Sequence, residues 1–110
     1  MTVGAVRTRG GSLSGLIGRL VVAHRSELRE VLLRHGIAHA QVFGSVARGD
    51  DHAGSDVDIL VELPPETGLF GIARVQAELE SILGADVDLV PAVGLKPLVR
   101  AHLKPDLVDL

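Results

Sequence analysis

The sequence predicts a single small domain of the α/β class, in which a mixed β-sheet carries helices on one face. The predicted elements run helix, strand, short helix, strand, helix, strand, helix, and this order is the first indication. The length of 110 residues suits one domain with a modest core. Hydrophobic residues make up 46% of the chain, but Phe43 and Phe70 are its two aromatic residues, so the core must be mainly aliphatic. The other face of the sheet should stay open and acidic.

The N-terminal third predicts a tail followed by one long helix. Residues 1–11 are rich in Gly, Thr and Arg without periodicity, which indicates a flexible tail before a single domain over residues 12–110. Ser12 or Ser14 is suited to cap one amphipathic helix, which Gly36 ends. Apolar residues recur in this helix at helical spacing: Leu13, Leu16, Ile17, Leu20, Val21, Leu28, Val31 and Leu32.

The rest of the chain predicts alternating strands and helices. The expected elements are strands over residues 37–43, 56–63 and 86–90, and helices over residues 46–48, 69–83 and 95–103. Pro64 begins a proline pair that separates the second strand from the longer helix, which Gly84 ends. Pro97 suits the first turn of the last helix. The apolar residues among positions 107–110 should dock on this domain or on a partner.

The middle of the chain carries the residues with the clearest chemistry. Asp56 and Asp58 alternate with apolar residues at a period of two, so both carboxylates point to the same side of a strand. Like charges at that separation raise a carboxyl pKa unless a cation neutralises them. Mg²⁺ is suited to this role because it takes oxygen ligands and leaves positions for water and substrate phosphates.

A glycine-serine turn lies just upstream of these aspartates. Gly44 allows a close approach of the backbone, and Ser45 offers a hydroxyl at the start of a short helix, where unpaired N–H groups favour a phosphate. Arg48 either contacts that phosphate or pins the turn through a charged hydrogen bond. A polar loop over residues 50–54 follows. Turn, loop and paired aspartates together indicate a phosphate cradle that faces a metal site.

The motifs GSVARG at residues 44–49 and SDVD at residues 55–58 resemble those of the minimal nucleotidyltransferases, which belong to the superfamily of DNA polymerase beta-like catalytic domains. The resemblance extends over residues 38–105 and implies the polymerase beta-like nucleotidyltransferase fold. It also implies that an acidic residue of the third strand completes the metal site. By the pattern VDLV this residue is Asp88, with Asp86 as the competing candidate.

The resemblance further implies metal-dependent transfer of AMP from ATP to a hydroxyl group. In that reaction Asp56, Asp58 and Asp88 are the candidate catalytic residues and the ligands of two Mg²⁺ ions. The candidate nucleotide- and phosphate-binding residues are Gly44, Ser45 and Arg48. ATP as the donor follows from the family, since no feature of the sequence reads the base.

So small a domain offers little surface to grip an acceptor, and the resemblance therefore implies a partner chain. The expected partner is a HEPN-type toxin, with this protein as the antitoxin that transfers AMP to a toxin hydroxyl, expected to be a tyrosine. A hetero-oligomer would result. Two other functions stay open: a non-catalytic module that neutralises its partner by binding alone, and an enzyme that modifies a small molecule such as an aminoglycoside. His52, in the polar loop, could approach a substrate.

The composition argues against several other classes of protein. A net charge of −3 without a basic cluster is unlike a dedicated nucleic-acid binder. The absence of cysteine excludes disulfides and thiolate metal ligands. We find neither a signal peptide nor a run long enough to span a bilayer, and therefore expect a cytoplasmic protein without membrane contact.

Overall fold

The computed structural model of the chain describes residues 13–110 as a four-stranded mixed sheet with helices. The predicted tail over residues 1–11 lies outside the described residues. The elements are α1 (Leu16–Ala23), α2 (Arg25–Arg34), β1 (Ala40–Phe43), α3 (Gly44–Arg48), β2 (Val57–Val61), α4 (Leu69–Leu83), β3 (Val87–Pro91), α5 (Pro97–Leu103), a 3₁₀ turn (Lys104–Asp106) and β4 (Val108–Asp109).

The strand order is β3-β2-β1-β4, and the sheet combines both kinds of pairing. Strand β1 runs antiparallel to β2 and to β4, whereas β2 and β3 are parallel and are joined by the crossover helix α4. The register sets Phe43 opposite Asp58 on one side of β2, and Asp88 opposite Asp58 on the other. The predicted mixed sheet is confirmed.

The hydrophobic core lies between the helices and one face of the sheet. Its strand residues are Val42, Val57, Ile59, Val61, Val87 and Leu89. Val21, Leu28 and Leu79 contribute fully buried side chains from helices α1, α2 and α4. Because successive strand residues point to opposite faces, Asp58 and Asp88 lie on the face that these helices do not cover. The predicted aliphatic core and acidic second face are therefore both present.

The prediction of one long N-terminal helix was wrong, because the chain breaks into two helices at His24. The backbone of His24 leaves the helical region at φ −108° and ψ 16°, and its ring Nδ1 lies 2.7 Å from Oε1 of Glu27 in the next helix. The break lets α1 pack against α3 while α2 packs against α4. The apolar spacing continues across His24, so the sequence pattern does not reveal this change of direction.

The C-terminal residues form a fourth strand that the sequence did not predict. Strand β4 pairs with β1 at the sheet edge, and the N–H of Leu110 donates to the carbonyl of Ala40 at 3.0 Å. The apolar tail thus docks on its own domain, one of the two outcomes that the sequence left open. Strand β1 is shorter than predicted, beginning at Ala40, whereas helix α4 has the predicted bounds. Within residues 13–110 no helix is both long enough and apolar enough to cross a membrane.

Leu79→Ala should lower the free energy of unfolding by about 2–5 kcal/mol, because it leaves a cavity at a fully buried position. Urea unfolding followed by circular dichroism measures this change. Leu98→Ala is the matched control, since the same atoms are removed from a side chain that is 83% exposed. The control should change stability by less than about 0.5 kcal/mol. Equal losses for the two variants would contradict this placement of the core.

Candidate active site

Gly44 sits where strand β1 turns into helix α3, and two constraints require a glycine there. Its φ is 78°, in the left-handed region that side chains disfavour. A Cβ at this position would also lie 2.6 Å from Oδ2 of Asp58. The turn therefore lies directly against the Asp58 carboxylate, as close as the missing side chain allows. The cradle and the acidic strand predicted from separate motifs are in contact.

Helix α3 is a single short turn anchored by its apolar residues and by one arginine. Val46 and Ala47 are fully buried, and the helix ends at Gly49 with φ 85°. Arg48 donates to Asp50 through Nε and to Asp106 through Nη1, both at 3.2 Å. These bonds raise the pKa of the Arg48 guanidinium above its usual value. Of the two roles that the sequence left open for Arg48, pinning the turn is the one these contacts perform.

The structure brings Asp56, Asp58 and Asp88 within electrostatic reach of one another. Burial, then Asp88, then Asp56 raise the pKa of the Asp58 carboxyl above its usual value. Asp58 is half-buried, whereas Asp56 and Asp88 are exposed. Asp86 does not contribute to this shift, and its carbonyl accepts the N–H of Val57 at 2.8 Å in the sheet. Of the two candidates on the third strand, Asp88 is the one beside Asp58.

These carboxylates do not by themselves enclose a metal ion. Over the part of the chain that the structure describes, no group of three or more His, Cys, Asp or Glu side chains is placed to hold one. Nor do the ion pairs formed within residues 13–110 supply a cation to Asp56, Asp58 or Asp88. Hard oxygen donors with uncompensated charge fit Mg²⁺, which uses one or two carboxylates and takes its other ligands from water and phosphates.

The polar loop between the two motifs is held by its own hydrogen bonds. The N–H of His52 donates to Oγ of Ser55 at 2.9 Å, and the N–H of Gly54 donates to the His52 ring at 3.2 Å. Ser55 thereby closes the loop directly before Asp56. His52 is exposed, with its Nδ1 occupied in this local contact.

Asp51 has a role that the sequence did not reveal. Its carboxylate accepts the backbone N–H groups of Ile17 and Gly18 at the start of helix α1. The prediction that Ser14 or Ser12 caps this helix was wrong for Ser14, because Gly15 occupies the N-cap position, and Ser12 lies outside the described residues. Capping motifs are recognised over a few adjacent residues, so a cap supplied from another part of the chain carries no local signal.

Comparisons with known proteins agree with this geometry. A family model described as nucleotidyltransferase domain matches residues 25–109. The protein adenylyltransferase MntA of Thermococcus cleftensis is 41% identical over 80 residues, which cover 73% of this chain and 78% of that protein. A Methanocaldococcus jannaschii protein named as a candidate protein adenylyltransferase is 38% identical over 80 residues, covering 73% of this chain and 86% of that protein.

Solved structures share the same architecture. One described as a candidate minimal nucleotidyltransferase has a TM-score of 0.74 at 36% identity, covering 84% of this chain and 94% of that chain. A complex described as a toxin-antitoxin with AMP-PNP has a TM-score of 0.66 at 22% identity, covering 76% of this chain and 69% of that chain. This second likeness shows the fold alone.

The fold and the motif geometry are those of an enzyme that transfers nucleotidyl groups. The chain belongs to the nucleotidyltransferase domain family, among its minimal nucleotidyltransferases, and the resemblance seen in its two motifs is confirmed.

Asp58→Asn should stabilise the protein at neutral pH. The folded state raises the pKa of Asp58, so it binds this proton more tightly than the unfolded chain does. Stability therefore falls as pH rises from the ordinary carboxyl pKa through the raised one, and the loss is complete above it. Thermal unfolding across this range should show the advantage of Asp58→Asn at pH 7 and its disappearance in acid.

Glu66→Gln, at an exposed loop position, is the control for removal of a negative charge and should leave the pH profile unchanged. Added Mg²⁺ should raise the unfolding temperature of the wild type more than that of Asp58→Asn. A stability advantage that persists unchanged below pH 4 would contradict the assignment to this carboxyl.

Gly44→Ala should lower nucleotidyl transfer by at least about tenfold, because a Cβ would displace the Asp58 carboxylate and misplacement near 1 Å is costly. Gly84→Ala is the matched control, since its φ is 69° but no atom lies within 4 Å of the added Cβ. Both variants bear the backbone strain, so unfolding should report similar losses for that part. Initial rates of nucleotidyl transfer, measured with Mg²⁺ and nucleotide, distinguish the effect of the Gly44 contact from the backbone strain that both variants share. Equal rates would show that the Gly44 contact has no bearing on catalysis.

Proposed function

We propose that this protein transfers AMP from ATP to a hydroxyl group of a partner protein and thereby acts as an antitoxin. The observation that carries the proposal is the half-buried carboxylate of Asp58, against which the Gly44 turn lies. Burial, then Asp88, then Asp56 raise the pKa of this carboxyl. Uncompensated carboxylates beside a tight glycine-serine turn suit a metal-bound triphosphate. The names of two similar proteins, one a protein adenylyltransferase and the other a candidate protein adenylyltransferase, support the same reaction.

In the proposed reaction the acceptor oxygen attacks the α-phosphorus of ATP, the bond to the β-phosphate breaks and pyrophosphate leaves. Asp56 and Asp58 would hold Mg²⁺, and we assign Asp88 to a second ion. The ions would neutralise the triphosphate and the charge that develops on the leaving group. Asp88 would also promote loss of the acceptor's proton. Its exposed position opposite Asp58 in the sheet is consistent with that role.

The glycine-serine turn would bind the nucleotide phosphates. The absence of a side chain at Gly44 would let phosphate oxygens approach the backbone, while the Ser45 hydroxyl would donate a hydrogen bond. Arg48 would support the phosphates from the next turn, either directly or by holding the turn in place through Asp50 and Asp106. Phosphoryl transfer depends mainly on positioning and charge stabilisation, so a domain of this size suffices for the chemistry.

The acceptor in this proposal is a tyrosine hydroxyl of a HEPN-type toxin, and the two chains would form a hetero-oligomer in the cytoplasm. Support comes from solved complexes that share the fold. One is described as a toxin-antitoxin with AMP-PNP, and another as the MntA-HpeT toxin-antitoxin with a tyrosine replaced by alanine, which has a TM-score of 0.65 at 23% identity. AMP-PNP is a non-hydrolysable relative of ATP, which is the donor proposed here.

The test is transfer of label from α-radiolabelled ATP, with Mg²⁺, to the protein encoded beside this chain. Asp56→Asn/Asp58→Asn should reduce labelling by at least about a hundredfold, because it removes the charge that the metal requires. Asp88→Asn should also reduce labelling, whereas replacement of the carboxylate directly before this strand, Asp86→Asn, should leave labelling as in the wild type.

Unlabelled partner with all four nucleoside triphosphates, despite a tight complex, would overturn the transferase and leave neutralisation by binding alone. Survival of cells that express the toxin with the double variant would overturn AMP transfer as the means by which the toxin is neutralised. Loss of labelling in Asp86→Asn but not in Asp88→Asn would reassign the third carboxylate. Phosphoamino-acid analysis of the labelled partner identifies the acceptor, and label on a residue other than tyrosine would contradict that part of the proposal.

A further inference from the structure

One carboxylate ties the polar loop over residues 50–54 to the N-terminal helix. Oδ2 of Asp51 accepts the N–H of Ile17 at 2.5 Å and that of Gly18 at 3.3 Å. These groups belong to the first turn of α1, where backbone donors have no partner within the helix. Gly15, at the N-cap position, has no side chain to satisfy them. Asp51 therefore caps a helix that lies 34 residues earlier in the chain.

Two glycines of the N-terminal segment, Gly15 and Gly18, lie where a side chain would not fit. A Cβ at Gly15 would overlap Oδ1 of Asp51, and a Cβ at Gly18 would lie 2.7 Å from the carbonyl of Leu13. Oδ1 of Asp51 is buried and accepts no hydrogen bond from the residues that the structure describes. The N–H of Leu13 also donates to the carbonyl of Ala47 in α3, at 3.2 Å. The start of the domain is thus attached both to the loop and to the helix of the candidate site.

The Asp51 contact bears on the site because of where the loop leads. The loop continues from Asp51 to Ser55, whose Oγ accepts the N–H of His52, and Asp56 follows Ser55 directly. The other described contacts of this loop with helix α3 hold its first residue: the carboxylate of Asp50 pairs with Arg48, and its N–H donates to the carbonyl of Ser45 at 2.9 Å. Without Asp51, the loop would be fixed to helix α3 alone.

We propose that Asp51 is a positioning residue for nucleotidyl transfer: by capping helix α1 it fixes the loop that leads into Asp56 and so holds Asp56 within reach of Asp58. This inference rests on the function proposed above for those aspartates. Asp51 does not touch the substrate in this scheme. It acts through the position of the loop, so helix α1 also contributes to the placement of the candidate catalytic residues.

A double-mutant cycle tests the contact itself through unfolding midpoints. Gly15→Ala should lower the midpoint, because its Cβ would push Asp51 away from the helix. Asp51→Ala should lower it as well, but the double variant should be no less stable than Asp51→Ala alone. Gly68→Ala is the matched control, since Gly68 caps α4 with a similar extended backbone and has no atom within 4 Å of the added Cβ. Additive losses would overturn the contact.

Enzyme kinetics with MgATP and the partner protein test the positioning role, at a temperature where every variant is folded. Asp51→Ala should lower kcat by at least about tenfold, because reacting groups must be held in close alignment. Asp51→Asn should restore most of it, since an amide oxygen can still accept both N–H groups. Val75→Ala, in the core of α4, is destabilised without touching the loop and should keep the wild-type kcat. A kcat for Asp51→Ala equal to that of Val75→Ala would reduce Asp51 to a structural cap.

Hydrogen exchange separates this inference from the function on which it rests. Asp51→Ala should speed exchange of the amides of His52 and Ser55 by at least about tenfold, and Asp51→Asn should not. Absence of transfer by the wild type would overturn the proposed function, and the exchange data would still decide whether Asp51 orders the loop. Unchanged exchange in Asp51→Ala would overturn the positioning role whatever the activity.

Discussion

The half-buried carboxylate of Asp58, placed beside two other aspartates on one face of a small sheet, is the constraint on which this structure depends. The parallel register of β2 and β3 sets Asp58 beside Asp88, and the pKa of Asp58 rises through burial and through the charge of Asp88 and Asp56. The same strand buries Val57 and Ile59 completely on its other face. Packing of the core therefore offsets an electrostatic cost that the fold bears at its site. Such a cost is expected at a functional site, since groups arranged for function are often unfavourable in the free protein.

The glycine-serine turn and the acidic strand form one unit rather than two motifs that happen to be close. Strand β1 leads directly into Gly44, and the antiparallel register sets Phe43 opposite Asp58. A left-handed φ and a close approach to the Asp58 carboxylate meet at the same glycine. Conformation and contact are thus satisfied by the one residue type that has no Cβ.

Distant segments hold this unit from both ends of the chain. Asp106, in the turn after α5, pairs with Arg48 of α3, and β4 then pairs with β1 at the edge of the sheet. On the N-terminal side, Asp51 binds the first turn of α1. A short motif placed between two strands is thus held in place by contacts with segments far from it in the chain. As a result, changes at either end of the described chain reach the site.

Local sequence determined most of the secondary structure and the chemical character of the site. Period-two alternation predicted the strand that carries Asp58, although β2 begins at Val57 and Asp56 lies directly before it. Apolar spacing with a terminal Gly84 predicted helix α4 with its observed bounds, because these signals depend on neighbouring residues alone. Only the tertiary structure decided the rest: the break at His24, the pairing of β4 with β1, the choice of Asp88 as the neighbour of Asp58, and the cap that Asp51 provides. Each of these depends on strand register or on contacts between segments far apart in the chain. Periodicity carries no information about which distant segments will meet, since many pairings bury the same apolar face.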